Sequence, residues 1–238
     1  MTSLIKDVLF PPHCAICDSV ISPSSEHICK DCRKRISYVA QPACMKCGKR
    51  IESEEAEYCM DCTTKERSFE KGFPLFDYKP PVSDSIVRYK YGNRQEYALF
   101  YADEIIKRFG NDFRRLKIEA LVPVPIHKKK LMKRGYNQAG LIASEIGKRM
   151  GIRVIPDLIL RSVDTKPQKE LNDLQREKNL RSAFVINPSM KDKVPGVILL
   201  VDDIYTTGST IESCTRICLE FGALKVYYTS VAIGAMLI

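Results

Sequence analysis

Eight cysteines in regularly spaced pairs constrain this chain more than any other feature of its sequence. They form four C-x-x-C pairs, each starting fifteen residues after the previous one: Cys14/Cys17, Cys29/Cys32, Cys44/Cys47 and Cys59/Cys62. The first and third pairs read P-x-C-x-x-C, whereas the second and fourth read C-x-D-C. The repeating unit is therefore thirty residues long, as expected of a duplicated segment.

Two C-x-x-C turns together can complete a closed tetrahedral site of four sulfurs, the kind of site that holds structural Zn²⁺. We predict two zinc ions on these eight cysteines, with the first two pairs on one ion and the last two on the other, rather than an interleaved arrangement. Iron–sulfur and redox dithiol roles are the alternatives for the same pattern. The segment has few large apolar residues, so metal would supply the order that its small core cannot.

The other two cysteines, Cys214 and Cys218, have a different predicted role. They fall at helical spacing on one apolar face, together with Ile211, Ile217 and Phe221. A small buried thiol packs like any other small apolar side chain. We therefore predict that both are core residues of a helix and not metal ligands.

Two sequence features bear on the cellular location of the chain. The first ten residues lack the pattern of a signal peptide, and the longest apolar run, Val226 to Ile238, is too short for a membrane helix. We expect a cytoplasmic protein without membrane insertion, in which metal binding is favoured over disulfides.

The formal net charge is +9. Eight thiolates on two Zn²⁺ would lower it to about +5, which suits a phosphate ligand or nucleic acid and equally an ordinary basic protein.

After Ser68 the sequence has the alternating pattern of an α/β protein. Predicted strands cover 120–124, 152–155, 197–201 and 226–233, and predicted helices include 99–109, 137–150 and one that starts near Ser209. This alternation indicates a mostly parallel sheet with helices on both faces. We predict a zinc module over residues 1–68 and an α/β domain over residues 69–238.

The segment from Val197 to Thr210 carries the strongest chemical signal of this second part. An apolar strand is followed by Asp202 and Asp203, then by a short loop with hydroxyl side chains and Gly208, then by a helix. Free N–H groups at the helix start and nearby hydroxyls can bind a phosphate dianion. A strand–turn–helix merely capped by Ser or Thr is the alternative, but it leaves the paired carboxylates unexplained.

This segment resembles the phosphoribosyl-pyrophosphate (PRPP) motif of type I phosphoribosyltransferases. Over nearly the whole chain, the ordered set of motifs is similar to the ComF (late competence) family. Besides the cysteine repeat, the matching residues are Lys90-Tyr91-Gly92, Val122-Pro123-Val124-Pro125, Arg134-Gly135-Tyr136-Asn137-Gln138, Arg161, Thr165, Gln168, Arg176, Asn179 and Ala183-Phe184. Two departures are small: Tyr136 stands where phenylalanine is common, and Ile204-Tyr205 replaces a more usual valine and small residue.

The resemblance implies a type I phosphoribosyltransferase-like fold behind a double zinc ribbon, and a site for PRPP with Mg²⁺. It assigns the ribose hydroxyls to Asp202 and Asp203. It assigns the 5′-phosphate to a set of five residues: Thr206, Thr207, Gly208, Ser209 and Thr210. A loop from Pro125 to Tyr136 would face the pyrophosphate, with Arg134, Gly135 and Tyr136 as its candidate residues. For the lysines of that loop, a solvated charge run is an equal alternative. The stretch from Arg161 to Arg181 is either a mobile flap or a salt-bridged surface helix.

Three functions from different classes follow from these patterns. The resemblance favours a protein that binds PRPP and single-stranded DNA as an accessory to DNA uptake in natural transformation, with a DNA-uptake helicase as a candidate partner. The runner-up is an active phosphoribosyltransferase that acts on an acceptor of unknown identity. In the third, the zinc ribbons are the functional part and the α/β domain is a degenerate scaffold, which the complete set from Asp202 to Thr210 argues against.

Overall fold

A computed structural model describes residues 11–22, 26–161 and 183–234 of the chain. Four residues named by the family resemblance, Thr165, Gln168, Arg176 and Asn179, lie outside these ranges, as does most of the stretch from Arg161 to Arg181. Within the described ranges, no helix is both long and apolar enough to cross a membrane.

The helices and strands follow one another in an α/β order. They are α1 (Lys30–Arg35), α2 (Met60–Thr64), β1 (Gly72–Asp77), α3 (Val82–Tyr91), α4 (Tyr97–Arg115), β2 (Ala120–Pro123), α5 (Lys128–Arg134), α6 (Gln138–Met150), β3 (Arg153–Val154), β4 (Ile159–Arg161), β5 (Phe184–Ile186), a 3₁₀ helix (Pro188–Lys193), β6 (Val197–Tyr205), α7 (Ser209–Glu220) and β7 (Lys225–Ile233).

Five strands form one parallel sheet in the order β1-β7-β6-β2-β3, while β4 and β5 form a separate antiparallel hairpin. Alternate residues of β6 enter two different cores, because successive side chains of a strand point to opposite faces. Leu199 and Val201 pack with α3, α4 and α6, whereas Ile198 and Leu200 pack with α7 and the hairpin. The predicted fold class, a parallel sheet with helices on both faces behind a cysteine-rich module, is confirmed.

The cysteine-rich segment packs directly on the sheet and contributes to both cores. Cys14 and its neighbours Ala15 and Ile16 are buried in the core that contains α3 and α4, and Cys44 and Cys47 are buried in the core that contains α7. The segment also covers the edge strand β1, where the Val39 N–H donates to the Leu75 carbonyl (3.1 Å) and the Gly72 N–H to the Lys46 carbonyl (2.7 Å). This pairing protects an edge that would otherwise be free to join another strand.

Two of the predicted element bounds are wrong. Strand β6 continues past Val201 to Tyr205, because β7 is equally long and pairs with it as far as Tyr205↔Ile233. The predicted loop from Pro125 to Tyr136 contains helix α5, which His127 caps at its start and left-handed Gly135 ends. The predicted helix 137–150 is present as α6, with Asn137 as its N-cap, and Cys214 and Cys218 are completely buried on α7 as predicted.

Candidate functional site

The eight repeat cysteines come together in two groups of four. We call Cys14, Cys17, Cys29 and Cys32 the first cysteine cluster, and Cys44, Cys47, Cys59 and Cys62 the second cysteine cluster; within each, the sulfur atoms all lie within 4.8 Å of one another. The predicted sequential pairing is thus the one the chain adopts. Four thiolate sulfurs at one point are the donor set that structural Zn²⁺ prefers.

The two clusters are built by the same local structure, as the thirty-residue repeat indicated. Each first C-x-x-C turn is flanked by an isolated antiparallel bridge, His13↔Val20 in one copy and Ala43↔Arg50 in the other. Each second turn opens a short helix, α1 after Cys29 and α2 after Cys59. These two closed sites are zinc-binding sites with a structural role, since they offer no open position for chemistry.

Asp203 faces the side of the sheet that carries α3. Its Oδ1 lies 2.8 Å from the Nζ of Lys90, and both side chains are mostly buried. The charge of Asp203 contributes to raising the pKa of Tyr89 and Tyr101, for which burial is the larger cause. Lys90 therefore supplies the counter-charge that makes a carboxylate tolerable at this position.

Asp202 is the preceding residue of the same strand and belongs to the opposite face. Its Oδ1 accepts a hydrogen bond from the Asp203 N–H at 2.8 Å. Burial, together with the charge of Asp203, raises the pKa of Asp202 to about 8. The positive charge of Arg161 acts in the other direction but does not offset these effects. Asp202 therefore holds a proton near neutral pH, which its position beside a second aspartate in the sequence did not by itself indicate.

The predicted phosphate-binding residues form the connection between β6 and α7. We call Thr206–Thr210 the hydroxyl loop. Gly208 adopts a left-handed conformation (φ +78°) and caps α7, and Thr206 and Thr207 are exposed. The Thr207 Oγ1 lies 3.0 Å from the Ser209 Oγ, so the hydroxyls converge at the start of the twelve-residue helix α7. The free N–H groups of such a helix start and its dipole attract anions.

Two residues between the second cysteine cluster and β1 hold the hydroxyl loop and helix α7. The Arg67 Nη2 donates to the Thr207 carbonyl (2.7 Å). Both the N–H and the Oγ–H of Ser68 donate to the carboxylate of Glu212 on α7, at 2.9 Å and 2.6 Å. No sequence motif pointed to Arg67 or Ser68, since their partners are about 140 residues away in the chain.

The predicted pyrophosphate-side residues have unequal surroundings. Arg134 donates to the Gln138 Oε1 and to the Tyr91 hydroxyl, both at 2.9 Å, and its guanidinium lies over the Tyr91 ring. Gly135 is exposed at the end of α5. Tyr136 is buried and donates its hydroxyl to the Tyr89 carbonyl. Of the three, Arg134 presents a charge at the surface, and Tyr136 anchors the segment to α3.

Lys90 and Arg161 matched the family motifs but had received no role, and both act on the carboxyl groups of β6. Lys90 pairs with Asp203, and Tyr91 extends the contact to Arg134. Arg161, at the end of β4, acts electrostatically on Asp202, and its Nε is buried without a hydrogen-bond partner among the described residues. The Lys90-Tyr91-Gly92 motif was the signal that could have identified Lys90, although sequence alone did not place it near β6.

Comparison with known proteins shows that the chain is similar to proteins named as competence and DNA-utilization proteins. A family profile described as the double zinc ribbon domain matches residues 5–63. The chain is 29% identical to "Competence protein F" of Haemophilus influenzae over 170 residues, which is 68% of this chain and 72% of that protein. It is 26% identical to "DNA utilization protein YhgH" of Escherichia coli K12 over 153 residues, or 63% of this chain and 66% of that protein.

The chain is also similar to a third competence protein and to one solved structure. "Competence protein ComFC" of Bacillus subtilis is 25% identical over 148 residues, 62% of this chain and 58% of that protein. The purine phosphoribosyltransferase of Pyrococcus horikoshii covers 58% of this chain and 89% of its own, with 16% identity and a TM-score of 0.33. The curated relatives are thus matched over between 58% and 72% of their own lengths.

Proposed function

We propose, from the premise that this chain is a homologue of the ComF-type competence proteins, that it binds PRPP and single-stranded DNA as an accessory to DNA uptake. The observation that carries the sugar-phosphate part is the juxtaposition of the hydroxyl loop, at the start of α7, with the carboxyl groups of Asp202 and Asp203 on the strand before it. A phosphate would be held by the loop, and the carboxyl groups would accept hydrogen bonds from ribose hydroxyls.

Each predicted residue has a separate task in this proposal. Thr206, Thr207, Ser209 and Thr210 supply hydroxyl and N–H donors, and Gly208 provides the left-handed turn at the start of α7. Arg134 supplies a positive charge for the pyrophosphate, and Gly135 and Tyr136 shape the turn that presents it. Bound Mg²⁺ would neutralise charge on the pyrophosphate and ribose oxygens, as it does for phosphate ligands in general.

Helix α5 supports the nucleic-acid part of the proposal. All of its residues except Arg134 are exposed, including Lys128, Lys129, Lys130 and Lys133. Such a row of exposed lysines can contact successive phosphates of a strand without reading its sequence. The competence relatives are consistent with a role in DNA uptake, where a helicase of the uptake machinery is the proposed partner.

The test of sugar-phosphate binding is calorimetric titration of PRPP, with and without Mg²⁺, into the parent and into the Asp202→Asn/Asp203→Asn variant. We expect at least tenfold weaker binding in the variant, or about 1.4 kcal/mol, because an amide in place of the Asp203 carboxylate, which pairs with Lys90, is a poorer acceptor for ribose hydroxyls. Equal binding by both proteins would contradict the assignment of the pocket.

The test of strand binding is the salt dependence of affinity for an unstructured oligonucleotide. Replacing Lys128, Lys129 and Lys130 by glutamine should reduce the slope of log K against log salt by about 2, since each lost phosphate contact contributes about 0.7 on single strands. The matched control replaces Lys117, Lys193 and Lys225, exposed lysines at the opposite end of the strands, and should leave the slope unchanged. Equal effects of the two sets would show that only net charge matters.

Active phosphoribosyl transfer is the second candidate, and one observation favours it. A pKa of about 8 allows Asp202 to exchange a proton near neutral pH beside the proposed sugar site, as a general acid or base must. Release of pyrophosphate from PRPP in the presence of nucleobases or amines would establish turnover. Binding without release under all acceptors would leave PRPP as a ligand and not a substrate.

A further inference from the structure

The second cysteine cluster lies next to the hydroxyl loop. The Cys47 carbonyl, which belongs to the first C-x-x-C turn of this cluster, accepts a hydrogen bond from the Tyr228 hydroxyl at 2.7 Å. Tyr228 is completely buried on β7, and its ring lies over Gly72, where a Cβ would come within 2.3 Å of it. Phe69 packs edge-on against the same ring, with centroids 5.1 Å apart. Tyr228 is therefore a fixed contact between the cluster and the centre of the sheet.

Tyr228 in turn contacts the residue that begins the turn into the hydroxyl loop. The rings of Tyr228 and Tyr205 are stacked, with centroids 4.7 Å apart and an interplanar angle of 7°. Tyr205 is the last residue of β6, and its hydroxyl lies against Gly208, where a Cβ would be only 2.2 Å away. That hydroxyl is buried without a hydrogen-bond partner among the described residues, so packing alone fixes it. The loop backbone consequently rests on a stack of two rings whose far end contacts the cysteine cluster.

A second connection runs from the cluster to the outer side of the same loop. Arg67 and Ser68 follow Cys62 by only a few residues, and they hold the Thr207 carbonyl and Glu212 of α7. Two sets of contacts thus hold the hydroxyl loop. Tyr205, stacked on Tyr228, packs against Gly208, and Arg67 donates a hydrogen bond to the Thr207 carbonyl. The first connection begins at Cys47 of the second cysteine cluster, and the second begins at Arg67, five residues after Cys62 of the same cluster.

We propose that the second cysteine cluster positions the hydroxyl loop, with Tyr228, Tyr205 and Arg67 as the positioning residues, so that metal occupancy of this cluster and the order of the loop are coupled. The coupling itself concerns the fold. Its consequence for ligand affinity rests on the proposed function. A loop that is already ordered loses less conformational entropy when it binds phosphate, so its affinity is higher. By linkage, a phosphate ligand on the loop would also raise the affinity of this cluster for zinc.

The experiment measures amide hydrogen exchange of a peptide that covers the hydroxyl loop, in the zinc-loaded full chain. Cys62→Ser should release the zinc of the second cluster and speed exchange of this peptide about tenfold more than exchange of a peptide from α6, which reports the global loss of stability. Cys17→Ser, the matched change in the first cluster, should release the other zinc and speed exchange of the hydroxyl loop no more than that of the α6 peptide. If Cys62→Ser loses its zinc and the loop exchanges at the parent rate, the proposal is wrong.

Two variants cover the case in which Cys62→Ser does not fold. Tyr228→Phe removes the hydrogen bond to Cys47 but keeps the ring, and Arg67→Ala removes the bond to Thr207. Each should speed the exchange of the loop and lower the zinc affinity measured by equilibrium competition with a chromogenic chelator, whereas a parental exchange rate and a parental zinc affinity in both variants would overturn the coupling. PRPP with Mg²⁺ is the probe for the ligand. If it binds but leaves the zinc affinity unchanged, the linkage fails. If it does not bind while loop exchange still follows the cluster, the proposed function fails and the coupling stands.

Discussion

At the scale of single residues, Asp202 and Asp203 illustrate how one strand gives adjacent side chains different chemistry. Because successive side chains of a strand point to opposite faces, Asp203 points towards Lys90 and Asp202 towards the other face. Burial there raises the pKa of Asp202 from an ordinary value of 3.8 to about 8. The sequence predicted two equivalent carboxylates after the end of a strand. It could not reveal that the strand continues, because its length is set by the distant partner β7.

The raised pKa of Asp202 predicts a pH dependence of stability with a definite sign. The folded state holds a proton on this group that the unfolded state releases at about pH 4, so the stability contributed by that proton is complete below pH 4 and is lost as pH rises to about 8. Thermal melting of the parent and of Asp202→Asn between pH 5 and 9 measures it. The difference in melting temperature should move in favour of the variant as pH rises and become constant above about pH 8. A difference independent of pH would contradict the raised pKa.

Gly208 allows a prediction that separates backbone strain from steric contact. Both Gly208 (φ +78°) and Gly151 (φ +68°) are left-handed, but a Cβ at Gly208 meets the Tyr205 hydroxyl, whereas a Cβ at Gly151 meets nothing within 4 Å. Each alanine variant should lose about 1–2 kcal/mol from the backbone conformation alone. Gly208→Ala should lose more in a denaturant titration and should also lose PRPP binding, while Gly151→Ala keeps that binding. Equal losses would mean that Tyr205 moves aside easily.

At the scale of elements, helix α3 carries Lys90, the partner of Asp203 that could not be predicted from the sequence. Its Lys90 reaches Asp203, its Tyr89 donates to the Gln138 carbonyl at the start of α6, and its Ser85 and Arg88 donate to the carbonyls of Ala15 and Ile16. Long periodic elements such as α4 and α6 could be predicted from hydrophobic spacing. Helices α3 and α5 could not, since their positions depend on contacts across the chain and on caps such as His127 and Gly135.

The pair between α3 and β6 predicts a coupling energy. Replacing Lys90 with Met leaves Asp203 without its counter-charge, which for a mostly buried pair should cost roughly 3 kcal/mol. Asp203→Asn should cost less, because it also removes the charge that, after burial, raises the pKa of Asp202. A double-mutant cycle by chemical denaturation should therefore give an interaction energy of at least about 1 kcal/mol. Additive effects of the two substitutions would show that the ion pair contributes nothing beyond its separate partners.

At the scale of the whole molecule, the cysteine-rich segment and the sheet share their cores. The repeat predicted both clusters and their pairing correctly, because ligand spacing is a local property of the chain. The packing of each cluster against a different face of the sheet could not be predicted, since it depends on Ile16, Cys47 and other contacts with residues far along the chain. The division into 1–68 and 69–238 remains a prediction, and unfolding experiments can test it.

Elemental analysis of the purified protein should give about two zinc ions per chain. Cys29→Ser should lose one of them, because it removes a ligand of the first cysteine cluster, while Cys214→Ser should keep both, because Cys214 is a buried core residue of α7. A single metal per chain, or iron in place of zinc, would contradict the assignment of the two clusters.

Removal of zinc should destabilise the entire molecule and not the cysteine-rich segment alone. Cys14 and Ile16 fill one core and Cys44 and Cys47 fill the other, so loss of metal exposes apolar surface on both faces of the sheet at once. Calorimetry should accordingly record one cooperative transition for the zinc-loaded protein, and a chelator should shift that whole transition to lower temperature. If the chelated protein instead kept a transition at the original temperature, the α/β part would fold independently of the clusters. The shared cores favour the single transition, because neither part buries its apolar face without the other.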